Sequence, residues 1–274
     1  MNPVISVIVP CYNQAQFLEE CLQSVLEQSF TDWECIIVDD GSPDNTEEIG
    51  LKWQSKDERF GYVKKVNGGL SSARNYGIER ARGQFILPLD CDDKIGKDYI
   101  RLGLQVFWER KNIGVVYSKA WYFGAITRPW ILADYDKRFL LCENLVFCSA
   151  FFRKEDWKTI GGYDENMRFG WEDWEFWINL IYTTGKDVYR VDYTGFYYRQ
   201  KDSSMLASFA SSIEKQTKAY DYIYNKHKKY YEENFPHPII AYKRMLELGN
   251  KNKLLLLYLK KFQSLFSRKK VHNT

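Results

Sequence analysis

The run Phe85-Ile86-Leu87-Pro88-Leu89-Asp90-Cys91-Asp92-Asp93 constrains this chain more than any other stretch. An apolar run following Gly83 predicts a buried strand. That strand ends in three carboxylates within four positions. Two ionised carboxylates about 5 Å apart repel by roughly 3 kcal/mol at an effective dielectric of 20. A folded chain keeps such a knot where a cation relieves it or water solvates it. A divalent metal taking hard oxygen ligands is one solution. A solvated acidic turn or a helix N-cap is the other, and this stretch alone leaves both open.

The rest of the chain supplies a setting for the knot. Ile5-Ser6-Val7-Ile8-Val9-Pro10 is a β-branched run closed by proline, and Cys35-Ile36-Ile37-Val38 is a second buried run entering Asp39-Asp40-Gly41-Ser42. Between them Phe17, Leu18, Cys21, Leu22, Val25 and Leu26 recur at helical spacing, predicting a helix over about Gln14–Gln28. A third strand is predicted from Gly61 to Val66, a helix from Ser71 to Ala81, another over about Lys97–Glu109 and a strand over Gly114–Ser118. This alternation predicts an α/β fold with a doubly wound, mostly parallel sheet. In such sheets ligands bind beyond the carboxyl ends of the strands. Pro10, Tyr12 and Asn13, the pair Asp39-Asp40, the helix start at Ser71 with Arg74 and Asn75, and Asp90–Asp93 therefore belong on one edge. An aromatic ring, an amide, an arginine and several carboxylates suit a nucleotide diphosphate with a metal. Taken singly, Tyr12 reads equally as a core tyrosine and Arg74 as a surface helix charge.

The pattern changes after residue 118. Residues 120–145 show no clear period and read as a loop or short hairpin. Val146–Phe152 reads as a strand, Lys154–Thr159 as a short helix, Trp171–Tyr182 as a helix and Asp187–Val191 as a strand. From about Ser204 the chain is helical and basic. Residues 201–274 carry 15 Lys and Arg against 6 Asp and Glu; with a chain total of +3, residues 1–200 hold a net −6. An acidic body with a basic tail fits a metal-using catalytic unit held near something anionic. No nucleic-acid motif is visible, so no nucleic-acid partner is expected. The six cysteines show no C-x-x-C pairing and read as buried free thiols of a reducing compartment. Met1-Asn2-Pro3 enters a strand directly, and Leu254 to Leu259 is too short to span a bilayer. The expectation is a cytoplasmic protein, peripheral on the inner face of a membrane if its tail binds there. Leu255, Tyr258, Leu259, Phe262 and Phe266 recur at helical spacing in that tail; a membrane-surface helix and a helix packed on the core are both open.

Four segments in order resemble glycosyltransferase family 2: Ser6-Val7-Ile8-Val9-Pro10-Cys11-Tyr12-Asn13, Val38-Asp39-Asp40-Gly41-Ser42, Gly69-Leu70-Ser71-Ser72-Ala73-Arg74-Asn75, and Asp90-Cys91-Asp92-Asp93. The resemblance covers roughly residues 4–205. It implies the GT-A fold, with a nucleotide-sugar half over 1–118, a small mixed-sheet acceptor half over 119–205 and a helical, basic extension over 206–274. It implies inverting transfer of a sugar from a nucleotide-diphosphate donor, with UDP expected, to a glycan or glycolipid acceptor, as in cell-surface polysaccharide assembly. The cofactor implied is Mn2+ or Mg2+. Asp39 is then expected on the base, Asp90-Cys91-Asp92 is the DxD motif with Asp90 near the ribose and Asp92 on the metal, and Asp93 supports that site or binds the metal in place of a neighbour.

Gly170-Trp171-Glu172-Asp173-Trp174-Glu175 matches the family's Glu-Asp pair at a helix start, which makes Asp173 the expected base with Glu172 beside it. Drying by tryptophans raises a carboxylate's pKa, whereas a helix N-terminus favours the anion. Without the resemblance the same stretch reads as acidic first-turn residues over a core stripe of Trp171, Trp174 and Trp177. Gly162, Tyr163 and Trp171 are expected on the acceptor side. Tyr197-Tyr198-Arg199 resembles a segment that closes on the diphosphate. Many relatives have a histidine nearby as a metal ligand; here Gln200-Lys201 stands instead, so either the metal has fewer protein ligands or Lys201, with Arg199, is expected to neutralise the leaving group. His227, His237 and His272 are expected to face solvent. Two other functions compete with this reading. A sugar-phosphate nucleotidyltransferase would open with a glycine-rich loop, absent at Pro10–Asn13. A non-catalytic nucleotide-sugar-binding protein would have no use for both Asp90–Asp93 and Asp173.

Overall fold

In the computed structural model, residues 2–168, 170–201, 212–237, 239–241, 243–248 and 253 are described. The chain forms two compact units, Met1–His227 and Lys228–Thr274. The second unit contains helix α8 (Lys228–Asn234).

The first unit is built on a nine-stranded sheet. Its strands are β1 (Ile5–Cys11), β2 (Trp33–Asp39), β3 (Phe60–Lys64), β4 (Phe85–Pro88), β5 (Lys94–Ile95), β6 (Ile113–Gly124), β7 (Arg128–Trp130), β8 (Phe151–Arg153) and β9 (Asp187–Gln200). They run in the order β3-β2-β1-β4-β8-β6-β9-β5, with β7 paired to β6. Strands β1 to β4 are mutually parallel, β8 is antiparallel to both of its neighbours, and β6 and β9 are parallel. All seven residues of β1 and of β2 are buried, which explains their continuous apolar runs: both faces of a parallel sheet are covered by helices. The helices of this unit are α1 (Ala15–Leu26), α2 (Thr46–Lys56), α3 (Leu70–Arg80), α4 (Tyr99–Glu109), α5 (Lys154–Ile160), α6 (Glu172–Thr184) and α7 (Ile213–Lys226).

Close packing of α3 sets the site. A Cβ on Gly77 would lie 2.5 Å from Ile8 Cγ2 and 2.9 Å from Val38 Cγ2, so only glycine lets this helix lie directly on β1 and β2. The N-terminal turns of α3 then sit at the strand ends with Ser71, Arg74 and Asn75 buried.

The second half departs from expectation in two ways. Residues 146–150 are largely buried, yet the strand occupies only Phe151–Arg153. Strands β6 and β9 also run far beyond the expected Gly114–Ser118 and Asp187–Val191, shifting register at Ser118–Ala120 and then pairing from Ala120↔Phe196 to Gly124↔Gln200. The patternless 120–145 stretch holds a hairpin, with Ala120 opposite Trp130, and a short 3-10 turn at Phe139–Leu141.

Candidate active site

The β1/β2 register sets Cys11 beside Asp39, so Tyr12 and Asn13 emerge next to Asp40. Asn13 takes a left-handed turn, φ 54°, and its N–H donates to Ser42 Oγ, which itself donates to the Cys11 carbonyl. Tyr12 is left 50% exposed at the edge, whereas Pro10 is buried within its strand. Asp39 is buried: Oδ1 accepts from Ser42 N–H at 2.7 Å and Oδ2 from Tyr62 Oη at 2.7 Å. Burial and that carboxylate push the Tyr62 phenol well up. Asp40 has a separate task. It accepts from Lys65 Nζ and from the N–H groups of Gly68 and Gly69, pinning the loop that enters α3. The Ser71 hydroxyl, also buried, finds no hydrogen-bond partner.

Arg74 ties the two halves of the site together. The side chain is 0% exposed, with Nη2 donating to Asp90 Oδ1 at 2.8 Å and Nη1 to Glu172 Oε1 at 2.7 Å. It is not a surface helix charge; it is the shared counter-ion of two carboxylates. Asn75, expected among donor contacts, has its amide committed elsewhere. It donates to the Tyr163 carbonyl and Glu165, and accepts from Tyr163 N–H and Trp157 Nε1. This holds the turn at Gly162, where φ is +83° and a Cβ would meet Asn75 Oδ1 at 2.8 Å. Tyr163 is buried with its ring stacked on Phe176, 3.9 Å between centroids. Gly162 and Tyr163 thus form scaffold between Asn75 and α6.

The acidic knot separates into two groups. Ligand atoms of Asp90, Asp93 and Cys148 lie within 4.8 Å of one another. Asp93 is 1% exposed; Oδ1 accepts from Arg199 N–H at 2.7 Å while Oδ2 has no partner. Burial, then Asp92 and Asp90, push this carboxyl well above the usual range. Asp92 turns instead to Lys201, whose ammonium donates to Oδ2, and Arg199 Nε donates to the Asp92 carbonyl at 2.7 Å. Arg199 also pairs with Glu20. Cys91 is buried beneath, its free thiol in hydrogen-bonding reach of that of Cys11. Clustered carboxylate oxygens, one of them buried and unpartnered, are a donor set that fits Mn2+ or Mg2+. Asp90 and Asp93 would hold it beside the Cys148 thiol, whereas Asp92 is taken up by Lys201.

Asp173 sits where a strained turn meets a helix. Gly170 (φ 109°) and Trp171 (φ 61°) turn the chain so that α6 starts at Glu172. Asp173 Oδ1 accepts from Trp174 N–H at 2.8 Å and Oδ2 from Asn144 Nδ2 at 3.2 Å. Its pKa is pushed up to about 7, by burial first and the Glu172 charge second, against the pull of Arg74 and the two hydrogen bonds. Trp171 is part-buried and packs on Trp174 and Tyr220, with centroids 5.3 and 4.7 Å away. Trp174 and Trp177 are the core members of the expected stripe.

Three site residues had no signal in the sequence: Tyr62, Asn144 and Cys148. Each reaches the site by long-range pairing rather than by a local motif. Two expectations are corrected. His227 does not face solvent; it is 5% exposed, with Nε2 2.7 Å from Glu175 Oε1 in the core. Cys142 is exposed and Cys148 part-buried, although all six thiols are free as expected. His237 is exposed, and His272 lies outside the described residues.

Residues 6–166 match the family model "Glycosyl transferase family 2". The chain belongs to that family. It is 43% identical over 110 residues to the putative teichuronic acid biosynthesis glycosyltransferase TuaG of Bacillus subtilis, covering 40% of this chain and 44% of TuaG. To the minor teichoic acid biosynthesis protein GgaB of the same organism it is 33% identical over 226 residues, 78% of this chain and 25% of GgaB. The chain thus spans less than half the length of these curated relatives. S. aureus TarS 1–349 in complex with UDP-GlcNAc superposes with a TM-score of 0.62 at 23% identity, covering 77% of this chain and 61% of that one. The mannosyltransferase PcManGT of Pyrobaculum calidifontis, solved with GDP-Man and Mn2+, superposes with a TM-score of 0.58 at 18% identity, covering 76% and 60%. This family 2 chain therefore has the GT-A fold: a mixed α/β architecture with a curled, mostly parallel sheet.

Proposed function

We propose that the chain is an inverting glycosyltransferase that moves a sugar from a UDP-sugar to an acceptor hydroxyl during assembly of a cell-surface polysaccharide. The observation carrying this reading is Asp173, a part-buried carboxylate with its pKa raised to about 7, joined through Glu172 and Arg74 to Asp90 on the donor edge. A group with that pKa is half ionised near neutrality and basic enough to take a proton as the acceptor oxygen attacks. The names of TuaG and GgaB support the polymer class, and the UDP-GlcNAc and GDP-Man complexes of the structural neighbours support the donor class.

In this reading Tyr12 lies against the base and Asp39 receives a base N–H. Asp173 takes the acceptor proton while the oxygen approaches the anomeric carbon opposite the leaving group. Arg199 and Lys201 place positive charge at the departing diphosphate. A divalent ion, when bound by Asp90 and Asp93, neutralises charge on that leaving group. Glu172 keeps Arg74 in position rather than moving a proton.

Calorimetry with UDP and Mn2+ should show binding that weakens at least tenfold in Asp39→Asn. UDP release from a panel of UDP-sugars should then fall by about 10²–10⁴ in Asp173→Asn, with UDP affinity unchanged. Equal UDP affinity in both proteins, or undiminished turnover in Asp173→Asn, would overturn the assignment.

A further inference from the structure

Asp92 already has a cation. Lys201 Nζ donates to Asp92 Oδ2 and, at 2.7 Å, to Gln14 Oε1, so the ammonium is held between the acidic knot and the start of α1. Both partners are largely shielded, with side-chain exposures of 22% for Lys201 and 16% for Asp92. The pair is therefore screened less than a surface ion pair. Arg199, two residues earlier, is fixed against the same loop by its bonds to Asp93 Oδ1 and the Asp92 carbonyl, so the end of β9 delivers Lys201 to this spot. Meanwhile Asp93 Oδ2 remains buried and unpartnered beside Asp90. Asp90 and Asp92 are thus paired with Arg74 and Lys201, and the open oxygen of the knot belongs to Asp93.

We propose that Lys201 is a tethered cation that competes with the divalent ion for Asp92, and so sets the metal affinity of the donor site. This deepens the donor-site reading and rests on it. A compact ammonium on a flexible four-carbon stem can leave a carboxylate without backbone movement. Being part of the same chain, it is present at Asp92 at high effective concentration whatever the supply of metal. A metal gains Asp92 only as Lys201 departs, and the departing ammonium is then free to meet the donor's diphosphate oxygens. Site charge stays close to balanced in both states: one fixed monovalent cation with the metal absent, a divalent ion plus a dianionic group with the donor loaded.

Mn2+ binding to the full chain, read from the electron paramagnetic resonance signal of free Mn2+ without nucleotide, tests this directly. Lys201→Met keeps the apolar stem and removes the competitor, so it should bind Mn2+ at least tenfold tighter than wild type. Lys201→Arg should not bind tighter, and Asp92→Asn should bind weaker than either. A second measurement needs no variant. Saturating Mn2+ should raise the rate of amine acylation at Lys201 in wild type several-fold, read by peptide mass spectrometry. Equal Mn2+ affinity in wild type and Lys201→Met, an acylation rate indifferent to Mn2+, or no Mn2+ binding by either protein would each overturn the proposal. UDP calorimetry on the same samples separates the two readings. Tighter Mn2+ in Lys201→Met without UDP binding would sustain the competition and sink the donor site. Normal UDP binding with unchanged Mn2+ affinity would do the reverse.

Discussion

Asp173 and Arg74 carry the chemistry of single residues furthest. Asp173 keeps its proton to about pH 7 in the folded chain. In the unfolded chain an aspartate releases it near the ordinary value of about 3.9. Between those two values the folded form binds more protons than the unfolded one, so this residue's contribution to stability falls as pH rises. Turnover should follow the ionised form and climb with pH through an inflection near 7. Asp173→Asn has no such group. Its melting temperature relative to wild type should rise from about pH 4 to about pH 8, while its residual turnover loses the inflection. A wild-type profile flat across neutrality would remove Asp173 as the base. Arg74 makes a different claim. It neutralises Asp90 and Glu172 at once from a fully buried position, a two-pronged geometry that lysine cannot supply. Arg74→Lys should cost about 3 kcal/mol in urea unfolding, because one carboxylate is left buried and unpaired. A change below about 1 kcal/mol would mean that water reaches that carboxylate.

At the scale of elements, α7 is held to the back of α6 by charge as well as packing. Glu175, fully buried one turn from Glu172, accepts from Lys226 and faces His227. Lys226 and Tyr222 also donate to Asp164, just after the Gly162 turn. His227→Ala removes a buried partner while Lys226 remains. The loss should be about 3 kcal/mol in denaturant unfolding, the low end for a broken buried pair. A near-neutral result would mean that the tie to Lys226 suffices alone.

The same elements show what the sequence could and could not convey. The buried parallel strands and the amphipathic α1 were legible because a continuous apolar run and a 3.6-residue period each have one physical cause. Strand β8 was misplaced because residues 146–150 are buried in irregular backbone, and burial leaves the same apolar mark with or without a ladder. The outer half of β9 was missed because Tyr193 to Tyr198 alternate neither in polarity nor in size. Of the site, the carboxylates were visible as runs following strands. The duties of Arg74, Asn75 and Asp40 were not, since each is set by partners from 16 to 98 positions away.

The whole chain divides its charge as it divides its units. Residues 228–274 carry 11 Lys and Arg against 3 Asp and Glu, a net +8, while residues 1–227 hold a net −5. Among the described residues no helix is long and apolar enough to cross a membrane. The basic amphipathic stretch 251–270 lies outside the described residues apart from residue 253. Electrostatic attraction of such a stretch to an anionic surface is worth roughly 1 kcal/mol per basic residue and fades with salt. A chain ending at His227 should unfold cooperatively and bind UDP as the full chain does. Only the full chain should co-sediment with phosphatidylserine vesicles, and it should be released at high salt. Equal sedimentation of both would assign the surface to the first unit.

Strand β9 reaches the knot last. Its pairing with β6 and β5 brings in Arg199 and Lys201, some 110 positions after the aspartates they serve. During synthesis on a ribosome the aspartates emerge long before these cations do. Until then the nascent chain holds a negatively charged, unclosed edge on an otherwise buried sheet. Pairing of these cations with the aspartates is therefore tied to translation of the most distant strand, and a polypeptide interrupted before residue 199 lacks both of them.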